Sequence, residues 1–464
     1  MNLHHLFAGT GDRPVSYALT GAAGGFARTL LAQTRLLPRL RPALLCDRDT
    51  GRLHALCREL GYPEADLATC ADPASAAEAA RAGRIVLTAE PALLGTAGGV
   101  AYDILVEATG HPRDGHAMAR AALLAGRHVA MVSKEVDSVA GLSLARLATE
   151  RGLVYTAAEG DQPANLIGLV TWAQTLGLDL VAIGKSTEYD LVYDPATGTA
   201  TQFGTTVPAP ELGGLLTLGE DVRATLRARA HAVAGLPSGA TADYCEMAVV
   251  ADNTGFAPDT ERLHYPLARI AELADVYALR EHGGVLGAPG AVDVFTALRL
   301  PGEASFAGGV FAVARTHDPE TWRTLAGKGH VLSRDGRYAA IYLPYHLMGV
   351  ETPLTLLSAV LHHRPSGAVA PRPVAVLAGR ADRDLPAGSE LTMGGHHHDV
   401  AGVRAVLLRA AEAPADAAPL YLAAGARLRR PLAAGELLTL GDLQGLDPEL
   451  SAAWQAGRST AVTR

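Results

Sequence analysis

An α/β chain that opens with a doubly wound, Rossmann-type nucleotide domain is predicted by three observations. The first is an apolar run, Val15-Ser-Tyr-Ala-Leu19, followed by Gly21-Ala-Ala-Gly24-Gly25-Phe-Ala27 and then by residues 28–37 at amphipathic helical spacing. Glycines between a strand and a helix have a defined use. The missing Cβ at Gly21 permits a tight turn, and the one at Gly24 lets backbone approach a pyrophosphate. Ala27 is small enough for the helix to lie on the sheet, and free N–H groups at the helix start then face phosphate oxygens. The second observation is a strand, Ala43-Leu-Leu-Cys-Asp47, whose terminal acid lies 20 residues after Ala27, where a carboxylate meets the adenine ribose. The third is the pair of strands Ile104-Leu-Val-Glu-Ala-Thr-Gly110 and His128-Val-Ala-Met-Val-Ser-Lys134, separated by a helix over 115–125. Together they complete a βαβαβ unit over 13–158. Arg48 follows Asp47 and favours a 2′-phosphate, so both forms of the cofactor stay open. The candidate cofactor residues are Gly21, Ala23, Gly24, Gly25, Phe26, Asp47, Arg48, Ala108, Thr109, Gly110, Ser133 and Lys134.

Length and composition bound the rest. A chain of 464 residues implies two or three domains. Hydrophobic content of 48% with 19% charged residues fits a soluble globular protein. A net charge of −8 without any basic block excludes nucleic acid as an expected partner. No run has the length of a membrane span, and the first ten residues lack the apolar core of a signal peptide. Cys46, Cys57, Cys70 and Cys245 lack metal-type spacing and read as reduced thiols in a cytoplasmic protein.

Along the chain, residues 1–12 read as a surface arm. A helix is expected over 71–82 and a loop over 90–100. A second domain, over 159–365, mixes strands and helices as an α+β unit. It opens with Glu159-Gly-Asp161-Gln-Pro163-Ala-Asn165, followed by a helix over 166–176 and a strand over 180–184. Lys185, Glu188 and Asp190 then follow at the strand's end. A polar cluster, Asp243-Tyr-Cys-Glu246, leads to Asn253, and a late strand leads into Pro344-Tyr-His346. A helix over 354–363 is expected to cross back to the first domain. Over 370–445 a repeat appears. Leu385-Pro-Ala-Gly388-Ser-Glu-Leu-Thr392 recurs as Leu432-Ala-Ala-Gly435-Glu-Leu-Leu-Thr439, at an offset of 47 residues. Each copy reads as a glycine bend and a short strand, which implies a small, mostly β module. Between the copies lies His396-His397-His398-Asp399. Adjacent residues on a strand alternate sides, so a polar loop is expected there rather than a zinc site. Residues 448–464 read as a helix and a tail.

Three groups of residues fit one family. The first domain is similar to that of homoserine dehydrogenases, through Gly21-x-x-Gly24-x-x-Ala27, Glu107-Ala-Thr-Gly110 and Val132-Ser-Lys134. That family's Asn-Gly-Thr-Thr segment is missing from the middle domain. There, Glu159-Gly-Asp-Gln-Pro163, Gly184-Lys-Ser-Thr-Glu-Tyr-Asp190 and Leu343-Pro-Tyr-His-Leu-Met-Gly-Val-Glu351 resemble 1-deoxy-D-xylulose 5-phosphate reductoisomerase-like oxidoreductases. The C-terminal repeats resemble an SAF (antifreeze-like) module, which that family also carries. The resemblance implies an enzyme that acts on CH–OH/C=O groups with NADP(H), or else NAD(H). It implies reduction of a small phosphorylated hydroxy-carbonyl compound, with a reductoisomerase reaction as the most specific version. A metal requirement stays open, since no compact Asp-x-Glu motif is present. A small-molecule substrate and a homo-oligomer are expected.

Hydride transfer needs a nicotinamide held against a carbonyl and a donor for the developing alkoxide. Lys134, at a strand end of the nucleotide sheet, is suited to that place, and Lys185 to polarising a carbonyl or binding phosphate. Glu159 and Asp161 lie at the domain junction, where ligands commonly sit. Glu188 and Asp190 are candidates to tune Lys185, and Glu246, Asn253 and His346 complete the catalytic candidates. Three other readings compete: a dinucleotide-binding regulator without turnover, a sugar- or protein-binding scaffold, and a homoserine dehydrogenase-like enzyme for an unphosphorylated substrate. A regulator would be expected to carry a DNA-binding element, and none is seen.

Overall fold

The computed structural model describes residues 2–6, 8–11, 13–95, 99–237 and 239–459; the expected tail beyond 459 lies outside them. The first sheet is built around β1 (Val15–Thr20). On one side lie β2 (Leu40–Cys46), β3 (Leu67–Thr69) and β4 (Ile85–Thr88); on the other lie β5 (Ile104–Glu107), β6 (His128–Met131) and β7 (Tyr155–Ala157). Their order is β3-β4-β2-β1-β5-β6-β7, and every pairing is parallel. Crossovers run through α1 (Gly25–Thr34), α2 (Thr50–Glu59), α3 (Pro73–Arg81), α4 (Pro112–Leu124) and α5 (Lys134–Glu150). Helices on both faces explain why β1, β4, β5 and β6 are almost uniformly apolar and buried. The strand order reverses between β1 and β5, and ligands of such sheets bind beyond the carboxyl ends at that point.

Two expected boundaries move, with consequences for the site. α1 begins at Gly25 with Gly24 as its N-cap, so the glycine turn is itself the helix terminus. β6 stops at Met131, and Lys134 opens α5 instead of ending a strand.

The second sheet has ten strands. They are β8 (Asp179–Ser186), β9 (Leu191–Asp194), β10 (Thr199–Gln202), β11 (Thr205–Pro208), β12 (Ala257–Pro258), β13 (Leu267–Ala268), β14 (Ala291–Arg299), β15 (Val310–Arg315), β16 (Val331–Leu332) and β17 (Tyr338–Leu343). The path runs β11-β10-β9-β14-β8-β15-β17-β16, with β12 and β13 paired to β14. α6 (Gln162–Thr175) packs on β8 and β15, and α8 (Thr241–Thr254) packs on α6, β14 and α5. α8 therefore sits between the two sheets' helical layers. The segment of Asp243 and Glu246 lies on this helix, and their i, i+3 spacing puts both on one face. Further helices are α7 (Val222–Ala232), α9 (Leu273–Val276), α10 (Pro319–Ala326) and α11 (Thr352–His362). α11 does cross back: Leu356, Leu357 and Ala359 pack into the core that holds Leu19, Leu30 and Val106.

The C-terminal repeat is realised as a local two-fold. Leu385 bridges its own repeat-mate Leu432, and the bridges Arg380–Leu437 and Glu390–Arg427 exchange under the same 47-residue offset. Both bends carry their glycine at positive φ, +83° at Gly388 and +84° at Gly435. The long pair Ala375–Ala381 and Val403–Arg409 forms the module's antiparallel ribbon. The closing helix, Pro448–Arg458, lies along α5, and Trp454 and Leu450 share one apolar cluster with Val139, Leu144, Val250 and Leu407.

Asp252 on α8 anchors the entry to this module. Its Oδ1 accepts the N–H groups of Val374 at 2.8 Å and Ala375 at 3.1 Å. Burial pushes its carboxyl up to about 7. A carboxyl whose folded pKa is raised gives stability that is complete below its unfolded value, near 3.9, and lost as pH rises through the folded one. Asp252→Asn keeps the accepting oxygen and cannot ionise. Urea unfolding should show wild-type stability falling between pH 4 and 7 by more than that of the variant, by on the order of a few kcal/mol. Identical pH profiles would remove Asp252 from this role.

Candidate active site

The nucleotide groove lies over the switch point between β1 and β5. Gly21 has φ +62°, and a Cβ there would collide with the carbonyl of Ala108. This close approach brings the glycine turn against the Ala108-Thr109-Gly110 turn at the end of β5. A groove of about 490 Å³ runs between them, lined by Gly21, Ala23, Gly24, Asp47, Arg48, Ala108 and Thr109. Of the remaining cofactor candidates, Phe26 turns into the apolar core and Gly25 starts α1. Ser133 braces the far end, where its Oγ accepts the N–H of Gly110 at 2.8 Å.

Asp47 is engaged by the fold itself. Its Oδ2 accepts the N–H of Ala23 at 2.9 Å and its Oδ1 that of Asp49 at 3.0 Å. Its carboxylate thus holds the glycine turn. Arg48 and Arg52 line the same end, and neither guanidinium has a partner among the described residues. Beneath the groove Glu107 is fully buried, and burial raises its carboxyl above the ordinary value despite hydroxyls from Ser133, Thr109 and Thr20.

Where the two sheets meet, a chain of alternating charges crosses the junction. Lys134 Nζ donates to Asp161 Oδ2 at 3.1 Å and lies 3.4 Å from Glu246 Oε1. Glu246 Oε2 then bonds Lys185 Nζ, which also meets Asp243 Oδ1 at 2.7 Å and Gln162 Oε1 at 2.5 Å. Asp243 Oδ2 accepts the Tyr265 hydroxyl at 2.8 Å. Four elements supply the groups: Lys134 comes from the start of α5, Asp161 is the N-cap of α6, Asp243 and Glu246 come from α8, and Lys185 lies within β8. Burial pulls both ammonium groups down, but the surrounding carboxylates outweigh it and hold both above the ordinary lysine value. Burial likewise pushes Glu246 up, and the two lysines reverse that and hold it low. Lys134 keeps 23% of its side chain exposed, whereas Lys185 keeps 1%.

The remaining catalytic candidates separate. His346 stands at the rim: a Cβ on Gly308 would meet both its ring and Gln162 Nε2, and its buried Nδ1 has no partner among the described residues. Glu159 turns away to α11, where its Oε2 accepts the Thr355 hydroxyl at 3.2 Å, and burial raises its carboxyl. Asp190 is buried against Arg299 Nε at 2.7 Å and the N–H of Phe306, a structural pairing. Asn253 spends its side chain on Val249 O and the N–H of Ala368. Glu188 is exposed and faces the histidine hairpin. These four acids and amides leave the lysine chain because the fold uses them elsewhere.

Sequence reasoning passed over Asp243, Gln162, Tyr265, Glu135 and His398. His398, from the C-terminal module, packs on the bare α-carbon of Gly110 and bonds Glu135 Oε1 at 2.6 Å, next to Lys134. The Glu135 bond holds the imidazole above its ordinary pKa. One signal was available: among 40 basic residues only Lys134, Lys185 and Lys328 are lysines, and two of them meet here. Elsewhere the chain places arginine, whose fork suits surface carboxylates.

A divalent cation, which the likeness to reductoisomerases implies, would have to be held by these same carboxylates. Asp161 and Glu246 each already bind an ammonium, and Asp243 binds the second one. The positive charge these carboxylates call for is supplied by lysine, so the set does not fit a resident metal.

The model of the oxidoreductase DRL catalytic domain matches residues 160–352, the span that supplies Asp161, Lys185, Asp243 and Glu246. The likeness to reductoisomerase-like oxidoreductases read from the sequence agrees with this match. Among solved structures, the chain is similar to 1-deoxy-D-xylulose 5-phosphate reductoisomerase from Zymomonas mobilis in complex with NADPH, at 19% identity over 52% of this chain and 58% of that one, TM-score 0.32. It is also similar to the WlbA dehydrogenase from Bordetella pertussis in complex with NADH and UDP-GlcNAcA, at 19% identity over 38% and 48%, TM-score 0.26. The chain spans about half the length of the solved structures it matches, 58% and 48% for these two. No protein of curated function matches it. No helix among the described residues is long and apolar enough to cross a membrane.

Proposed function

We propose that the chain is an NADPH-dependent reductase of a small phosphorylated hydroxy-carbonyl compound. The observation that carries this reading is the Lys134 ammonium, held by Asp161 and Glu246 where the two sheets meet and still partly exposed. A bound nicotinamide would supply the hydride to the carbonyl carbon. Lys134 polarises the carbonyl oxygen and gives the developing alkoxide its proton, which Asp161 and Glu246 keep in place by charge. His346, whose buried Nδ1 has no partner among the described residues, sits beside Gln162 of the same cluster. A carbon-skeleton shift needs two oxygens polarised together. Lys185 is too deeply buried to reach a second oxygen, which favours plain reduction over rearrangement. The test is product analysis with NADPH and deoxyxylulose phosphate or straight-chain sugar phosphates, each with and without chelator. An unrearranged alcohol formed at the same rate with chelator is expected. A rearranged product would replace this reading by the reductoisomerase one, and turnover confined to unphosphorylated aldehydes would end both.

The preference for the phosphorylated cofactor rests on Asp47 being engaged by Ala23 and Asp49 while Arg48 and Arg52 stand unpartnered beside it. Hydrogen bonds to charged groups contribute about 1.5–3 kcal/mol. Arg48→Ala with Arg52→Ala should therefore weaken NADPH by about 10- to 100-fold and leave NADH nearly unchanged. Equal weakening of both cofactors in a binding titration would contradict the assignment.

A further inference from the structure

The histidine run escapes the argument that adjacent residues face opposite ways, because it lies in a turn. The short strands Met393–Gly394 and Asp399–Val400 pair, and His396, His397 and His398 form the tip between them. His398 turns towards Glu135 of α5. His396 and His397 turn the other way, onto Glu188 in the segment that follows β8. One ligand atom from each of Glu188, His396 and His397 lies within 4.8 Å of the other two. The two rings present opposite nitrogens: His396 Nε2 stands 3.3 Å from Glu188 Oε1, and His397 Nδ1 stands 3.7 Å from Oε2. Alternating ring nitrogens is what allows sequence neighbours to converge on one point. Ligands about 2.0–2.1 Å from a tetrahedral ion are about 3.4 Å from each other, so both separations suit one ion. Phe203 backs the pair, with ring centroids 5.8 Å from His396 and 5.9 Å from His397. A hydrophobic face of that kind limits solvent access to a bound ion.

We propose that Glu188, His396 and His397 form a site for a zinc-class divalent transition ion, separate from the lysine chain. Two imidazoles and one carboxylate select zinc, cobalt or nickel over magnesium or calcium, and three protein ligands leave a fourth position for water. The ion joins the catalytic domain to the C-terminal module at the hairpin tip. It works as a clasp, because the same tip reaches α8 through Asp399 Oδ1, which accepts the Thr241 hydroxyl at 2.5 Å. Bound metal would then hold His398 against Gly110 by fixing the residues next to it.

The full-length protein titrated with Co²⁺ should take up one equivalent and develop the visible absorption of a tetrahedral Co²⁺ site, which Zn²⁺ then displaces. Glu188→Gln and His397→Ala should each weaken uptake at least tenfold, while His398→Ala retains it. Metal should also slow proteolysis within 393–400. Absence of stoichiometric uptake would overturn the proposal. So would uptake that Glu188→Gln and His397→Ala leave unchanged, because that would be surface histidine binding without a built site. Both readouts are independent of turnover, so they stand or fall apart from the reductase reading.

Discussion

Lys134→Met should lower turnover by about 10²–10³-fold, the usual loss when a preorganised donor to a developing oxyanion is removed. Binding of NADPH should survive, since the groove is formed by the glycine turn and the end of β5. Burial pulls the ammonium down, but Asp161, Glu246 and Glu135 hold its pKa well above the ordinary lysine value. Lys134 therefore stays charged through the neutral range, and its loss should cut kcat by the same factor at pH 6 and pH 9. Steady-state kinetics at several pH values with a turned-over substrate, alongside a cofactor titration, make the check. Near wild-type kcat in a folded variant would move the site away from this junction.

Lys185→Met should act on the fold first. Its ammonium is 1% exposed and is shared by Asp243, Glu246 and Gln162. Removing one partner of a buried ionic set leaves uncompensated charge and costs about 3–5 kcal/mol. Glu246 retains Lys134, so Asp243 is the carboxylate left alone. Asp243→Asn in the same chain should recover part of the loss, because the amide oxygen still accepts the Tyr265 hydroxyl without carrying charge. Chemical unfolding of wild type, single and double variants gives the three numbers. A single variant as stable as wild type would show that Lys185 is not the counter-charge of the cluster. The sequence places Lys185 beyond a strand as a catalytic group; its position within β8 makes it a support for the other groups of the junction.

Local patterns carried most of the architecture. The glycine turn, the acid at the end of β2 and the return of α11 are all set by neighbouring residues and apolar spacing, and each is where it was expected. Lys134, Asp161, Lys185 and Glu246 were each legible as charged residues at element ends. Their pairing was not, because Lys185 meets Glu246 across 61 residues and His398 meets Glu135 across 263. No periodicity encodes such contacts. The partners of Glu159, Asp190 and Asn253 were hidden for a related reason. An acid or amide beside a turn serves a hydroxyl, a guanidinium or a backbone N–H as readily as a substrate, and the partners Thr355, Arg299 and Ala368 lie far along the chain. The histidine run lies in a turn, as a polar loop would, and there the alternation rule of a strand does not hold.

The apolar cluster that joins Trp454 and Leu407 to Val139, Val250 and Ile183 gives the chain a particular folding character. Three segments that read as separate modules share one interior, and α5 and α8 are covered on one flank by residues more than 100 positions later. None of the three can melt without exposing the others, so they form one cooperative unit. Cutting the chain near residue 368 would therefore strip a wall from the charged junction instead of releasing an accessory. During synthesis the lysine chain is not in its final setting until the last helix, Pro448–Arg458, has docked on α5. The charge pattern of the junction is thus a property of all three segments together, and no one of them carries it alone.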